Sequence, residues 1–272
     1  AWTAGGAVLD AAARHLVSRV DTSGAGVAVT VLNGLAWPRT ELVRVEVPAG
    51  DGTLLDDAGA PLPAVLDGRT LSFVARDLPP TGWRTYRLVH GRTPGWSTAA
   101  GSTIENDAYR LTADPARGGT VSSWLDRRLG RELVPPGRTG NELLVYDEYP
   151  QHPTFGEGPW HLLPTGPPRT GAADGRAAVR AEVSPAGQRL VVSGELDGIR
   201  YEQTLTVWTG LSRVDCTTRL RPTGADRLLR LRWPTDVPGG LPVSEVGAAV
   251  VGRGYGIVDV DSAQHPWTLD NP

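Results

Sequence analysis

Residues 200–208 read Arg-Tyr-Glu-Gln-Thr-Leu-Thr-Val-Trp. Tyr201, Gln203, Leu205 and Val207 fall on one side of an extended chain, and Glu202, Thr204, Thr206 and Trp208 on the other. A period of two carried by β-branched and aromatic residues is the signature of a strand. The pattern recurs upstream. Val27, Val29 and Val31 alternate, as do Val43, Val45 and Val47, and Leu71, Phe73, Trp83, Tyr86 and Leu88 continue it. Pro48, Gly50, Asp51, Gly52, Pro79, Pro80 and Gly82 punctuate these runs as turns. Residues 25–95 therefore predict a small antiparallel β-sandwich.

Further candidate strands lie at 108–113, 119–125, 142–146, 177–183, 189–195, 213–220, 228–233 and 248–251. They predict a second β domain over 96–272, with the small, polar stretch 91–102 as a crossing loop. Residues 150–175, rich in Pro and Gly, form an expected long loop, a type that is commonly functional. The N-terminal segment differs. Val8, Leu9, Ala12, Ala13, Leu16, Val17 and Val20 recur at steps of three and four, one apolar helical face, and Asp21 and Gly24 end it. A lone helix of this length is marginal without a partner. After residue 24 no helical period is evident, so the expected fold class is mainly β with one N-terminal helix.

Composition narrows the function. The 272 residues carry 27 basic and 30 acidic side chains, for a net charge of −3. That balance argues against binding nucleic acid by phosphate neutralisation. No apolar run approaches a membrane span, and residues 1–20 lack the pattern of a signal peptide, which predicts a cytoplasmic protein. One cysteine, Cys216, excludes an internal disulfide framework and a thiolate-rich zinc site. All basic residues are arginine, and 34 Gly and 23 Pro add to a composition typical of a GC-rich, bacterial genome.

Residues 141–162, NELLVYDEYPQHPTFGEGPWHL, hold the densest chemistry: Tyr146, Asp147, Glu148, Tyr149, His152, Phe155, Glu157, Trp160 and His161. Aromatic faces beside carboxylates suit sugars, which stack on rings and donate hydroxyl hydrogen bonds. The competing reading is a surface loop pinned to the sheet by its aromatics. His152 and His161 stand nine apart without a metal-ligand motif, so no metal site is expected. Asp147 and Glu148 are adjacent, and neighbours on a strand point to opposite faces, so they make no natural acid–nucleophile couple. Asp56 and Asp57 read as a solvated turn. Cys216 reads as a small core residue. Gly252, Gly254 and Gly256 lack the strand–turn–helix setting of a phosphate loop. His265, Pro266 and Trp267, close to Pro272, are either ligand-facing or a strand plug.

Four phrases, in order, resemble glycoside hydrolase family 38, the α-mannosidases. They are Val31-Leu-Asn-Gly-Leu-Ala-Trp37-Pro-Arg39; Asp77-Leu-Pro-Pro-Thr-Gly82-Trp-Arg-Thr-Tyr86; Ile104-Glu-Asn106-Asp-Ala-Tyr109 continuing through Asp114-Pro115, Gly118-Gly119, Ser122 to Asp126 and Leu129 to Leu133; and Asn141 to Pro150. All four are similar to the family's non-catalytic C-terminal half. The resemblance implies a terminal helix of a helical bundle over 1–24, the small sandwich over 25–95, and part of a galactose-mutarotase-like supersandwich over 96–272. It also implies a retaining mechanism and a zinc ion in an N-terminal barrel of the same polypeptide. None of the family's zinc ligands or catalytic carboxylates has a matching position here, so no catalytic residue and no metal ligand is assigned. Leu32, Gly34 and Ala36, Arg127 and Arg128, and the segment after Pro150 depart from the family pattern.

The expected role is to buttress the barrel and line part of the cleft with Asp147, Glu148, Tyr149, His152, Trp160 and His161. The expected partners are that barrel and bundle, a mannose-containing glycan and, as an open option, a second copy of the chain, with no nucleic acid and no membrane. The rival readings are a carbohydrate-binding sandwich without hydrolytic activity and a purely structural scaffold.

Overall fold

The structure is a computed structural model that describes residues 2–48, 52–151, 153, 156, 164–241, 243–246 and 249–252. The chain divides into two compact units. The first comprises residues 1–99, 182–188 and 207–213, and the second 100–181, 189–206 and 214–272.

The first unit opens with α1 (Trp2–Val17), which buries none of its residues. It ends at Val17 rather than beyond Val20, and Ser18 caps the end by donating its hydroxyl to the His15 carbonyl. Six strands follow: β1 (Val27–Asn33), β2 (Arg39–Glu46), β3 (Gly52–Leu55), β4 (Ala64–Asp67), β5 (Thr70–Leu78) and β6 (Gly82–His90). They form two antiparallel sheets in the orders β1-β6-β3 and β2-β5-β4. Val29, Leu54, Tyr86 and Leu88 of one sheet meet Leu71, Phe73, Ala75 and Leu78 of the other in a common core. Phe73 packs edge-on against Tyr86, ring centres 4.9 Å apart, an arrangement that favours the aromatic quadrupoles.

Asn33 closes this sandwich. It is buried at the end of β1, and its amide donates to the carbonyls of Trp37 and Pro79 at 2.8 and 3.0 Å. Its own carbonyl oxygen accepts the Leu35 N–H at 3.1 Å. One side chain thereby satisfies three backbone groups that the loops would otherwise leave unpaired.

Residues 91–102 are more ordered than a crossing loop. They contain β7 (Ser97–Ala99). Thr93 is buried, and Trp96 packs against Trp208, ring centres 5.8 Å apart. Trp208 joins Val65, Val74, Ala186 and Leu211 in a second cluster of the first unit. Trp208 is therefore buried like its strand neighbour Val207, although the strand alternates.

The remaining strands are β8 (Thr103–Glu105), β9 (Tyr109–Asp114), β10 (Thr120–Asp126), β11 (Arg131–Glu132), β12 (Glu142–Asp147), β13 (Arg169–Thr170), β14 (Arg176–Ser184), β15 (Gly187–Leu196), β16 (Ile199–Trp208), β17 (Val214–Arg221), β18 (Arg227–Arg232), β19 (Val243–Glu245) and β20 (Val250–Gly252). All belong to the second unit except for residues 182–184 of β14, 187–188 of β15 and 207–208 of β16, which belong to the first. One sheet runs β11-β10-β9-β8, another β13-β12-β18, and β17-β16-β15-β14 are neighbours in a third. Asp197 and Gly198 join β15 to β16 with positive φ at both, 51° and 77°, the geometry that a two-residue hairpin turn requires. Leu143, Val145, Val192, Leu196, Ile199 and Tyr201 form the core between these sheets.

The fold is thus mainly β with one N-terminal helix, as the alternation predicts. Two local expectations need correction. The expected loop 150–175 contains β13 and a single helical turn, α2 (Gly171–Asp174), capped by the Thr170 hydroxyl. Cys216 is exposed on β17, not in the core. Asp56 does form a turn: its carboxylate accepts the N–H groups of Ala58 and Ala60.

Candidate functional site

The densest stretch of the sequence falls on β12 and the residues after it. β12 pairs with β18 in a register that sets Glu142 opposite Arg232 and Asp147 opposite Arg227. Apolar residues occupy most positions between, and Leu143, Leu144 and Val145 are buried. Each end of the ladder therefore carries a cross-strand pair of opposite charges, a favourable arrangement.

The two ends differ in depth. Glu142 is 3% exposed through its side chain and accepts from Nη2 and Nε of Arg232 at 2.5 and 3.2 Å. It also accepts the Ala172 N–H at 3.2 Å. Burying a carboxylate is tolerable only with such partners.

Asp147 is open to water and accepts a two-pronged pair of hydrogen bonds from Arg169 at 2.8 and 2.9 Å. Arg169 and Arg227 both also face Asp197 at the β15–β16 turn. Two aspartates and two arginines thus form a neutral network. Hydrogen bonding from Arg169 holds the Asp147 carboxyl below its ordinary range.

Glu148 is placed differently. Its N–H bonds to the Asp226 carbonyl at 2.9 Å, but its carboxyl has no hydrogen-bond or ion-pair partner among the described residues. Burial, and then the Asp226 charge, push this carboxyl above its ordinary range. Tyr149 follows, 47% exposed. The structure therefore brings Asp147, Glu148 and Tyr149 to one strand end, with the two acids in separate surroundings. His152, Trp160 and His161 lie outside the described residues, as do Phe155, Glu157 and the 265–272 group.

Sequence reasoning missed Glu142, Arg169, Asp197, Arg227 and Arg232. The usable signal was the pair of hexads ELLVYD (142–147) and RLLRLR (227–232). Laid antiparallel, they put an arginine against each acid. Among the described residues no group of three or more His, Cys, Asp or Glu side chains is close enough to hold a metal ion. These residues do not fit a zinc site. No helix of the described residues is long and apolar enough to cross a membrane.

Comparison of the sequence with curated proteins finds no match. The family model described as the Glycosyl hydrolases family 38 C-terminal domain matches residues 104–256, more than half of the chain. The match takes in β12, β13, β18 and the strands that carry their ionic partners. This chain belongs to glycosyl hydrolase family 38, through that family's C-terminal domain.

Proposed function

We propose that this chain is the C-terminal β part of a retaining, zinc-dependent α-mannosidase, with the bond-breaking residues and the zinc in a barrel elsewhere in the polypeptide. The family match on residues 104–256 carries this reading. Retaining hydrolysis needs an acid and a nucleophile about 5–5.5 Å apart. Asp147 is committed to Arg169, and an engaged carboxylate is a poor nucleophile. The described residues therefore supply architecture and sugar contacts, and no catalytic step is routed through them.

Within that role Glu148 and Tyr149 are the contacts of the described strand end, with His152, Trp160 and His161 as their proposed neighbours. The half-buried, partnerless Glu148 carboxyl suits a sugar hydroxyl, and the exposed Tyr149 ring suits a sugar face. Asp147 holds Arg169 in place beside them.

The test is hydrolysis of an aryl α-mannoside. The chain alone is expected to give no turnover with zinc or with chelator. The chain joined to its barrel is expected to turn over, and to stop when zinc is removed. Turnover by the chain alone would overturn the non-catalytic assignment. A joined enzyme that ignores mannosides would overturn the substrate.

A further inference from the structure

A surface cavity of about 270 Å³ lies in the second unit, lined by Arg117, Arg138, Arg232, Thr139, Thr170 and Glu142, among others. Arg232 is neutralised there by the buried Glu142. Arg117 and Arg138 have no carboxylate partner among the described residues. The cavity wall thus holds one compensated guanidinium and two uncompensated ones, with the fork geometry that matches oxyanions.

The supports of these arginines are fixed. Arg117 ends a single 3-10 turn in which the Asp114 carboxylate accepts the Ala116 N–H, and its carbonyl accepts the Thr120 hydroxyl at 2.9 Å. Gly118 follows at φ 66°, where a Cβ would stand 2.0 Å from the Gly171 carbonyl oxygen. Only glycine fits that approach. Arg138 closes a Pro135-Pro136-Gly137 turn by donating its N–H to the Pro135 carbonyl at 3.1 Å. Arg232 is held by two hydrogen bonds to Glu142. The Arg232 guanidinium is thus ordered before a ligand arrives and loses little freedom when it binds, whereas Arg117 and Arg138 are anchored through their backbone.

We infer that this cavity binds a phosphomonoester, with the phosphoryl group between Arg117 and Arg138 and the ester's hydroxylated body toward Thr139, Thr170 and Glu142. The volume supports an ester over a bare ion. At roughly 30 Å³ per water, the space exceeds what one phosphate fills. The site is separate from the Glu148–Tyr149 strand end, so it stands or falls apart from the mannosidase reading.

The test is calorimetric titration of the whole chain with a hexose 6-phosphate, with inorganic phosphate, and with the unphosphorylated hexose. Saturable binding of a phosphorylated ligand is expected, with none for the plain hexose. Arg117→Gln and Arg138→Gln, both on accessible side chains, should each weaken it about tenfold while circular dichroism stays unchanged. Arg200→Gln, a charge-matched control on β16, should leave it unchanged. Tighter binding of the ester than of inorganic phosphate supports the sugar-bearing ligand, whereas equal binding overturns the assignment to an ester. Absence of saturation at millimolar ligand, or equal weakening by Arg200→Gln, overturns the site.

Discussion

The β2–β5 ladder and the β12–β18 ladder solve one pairing problem with different chemistry. In the first unit Val43 faces Phe73 and Val45 faces Leu71, and Leu71 and Phe73 are fully buried. In the second unit the apolar centre of β12 is bracketed by Glu142–Arg232 and Asp147–Arg227. Burial favours any register that keeps the apolar face inward, including a slip by two residues. The bracketed ladder admits only one register that pairs both acids. A two-residue slip would bring Asp147 opposite Ala225 or Leu229. Hydrophobic area stabilises the first ladder, and charge placement specifies the second.

The sharpest way to break this contrast is at the aromatic core. Phe73→Ala is expected to cost about 3–5 kcal/mol, read as a lower urea midpoint for the first unit. Next comes Glu142→Leu, which strands Arg232 and is expected to cost about 2–3 kcal/mol. The double variant Glu142→Leu with Arg232→Leu should recover most of that loss. A double variant as unstable as the single one would show that the clamp stabilises the fold outright.

Smaller effects are expected at the open end. Arg169→Gln should change stability at neutral pH by less than about 1 kcal/mol. Its signature is in acid. Asp147 titrates below its unfolded value, so its contribution is present above that value and is lost as pH falls through the folded one. Without Arg169 this loss shrinks, and urea midpoints measured down to acid pH should fall less steeply. Glu148 has the opposite sign. Its folded carboxyl titrates above the unfolded one, so ionisation disfavours the fold as pH rises. Glu148→Gln is expected to raise the melting temperature at neutral pH by about 1 °C.

The strands were legible wherever a single segment carried the whole signal. Val27 to Val31 and Tyr201 to Val207 alternate within themselves, and their elements stand where expected. The burial of Trp208 was not legible, because its partners Val65, Val74 and Trp96 lie far away in the sequence. The same holds for the site. Asp147, Glu148 and Tyr149 stood out as a local cluster, but the arginines that distinguish Asp147 from Glu148 arrive from β13 and β18. Cys216 misled in the other direction: a small apolar residue in a strand has an even chance of either face, and DCTTR gives no strong alternation.

The ionic clamp at Glu142 also bears on how the chain folds. Glu142 and Arg232 are 90 positions apart, whereas β15 and β16 are joined by the two-residue Asp197-Gly198 turn. Hairpins of that kind close in about 1–10 μs. Contacts across long separations must first bear the entropy of closing the intervening chain, and folds rich in them take milliseconds to seconds. β12 therefore waits for β18, and on a growing polypeptide it emerges well before its partner has been made. During that interval its apolar run Leu143–Tyr146 lacks the longer of its two neighbouring strands, with only the short β13 at hand to pair with it, and exposed apolar strand of this kind is what chaperones recognise.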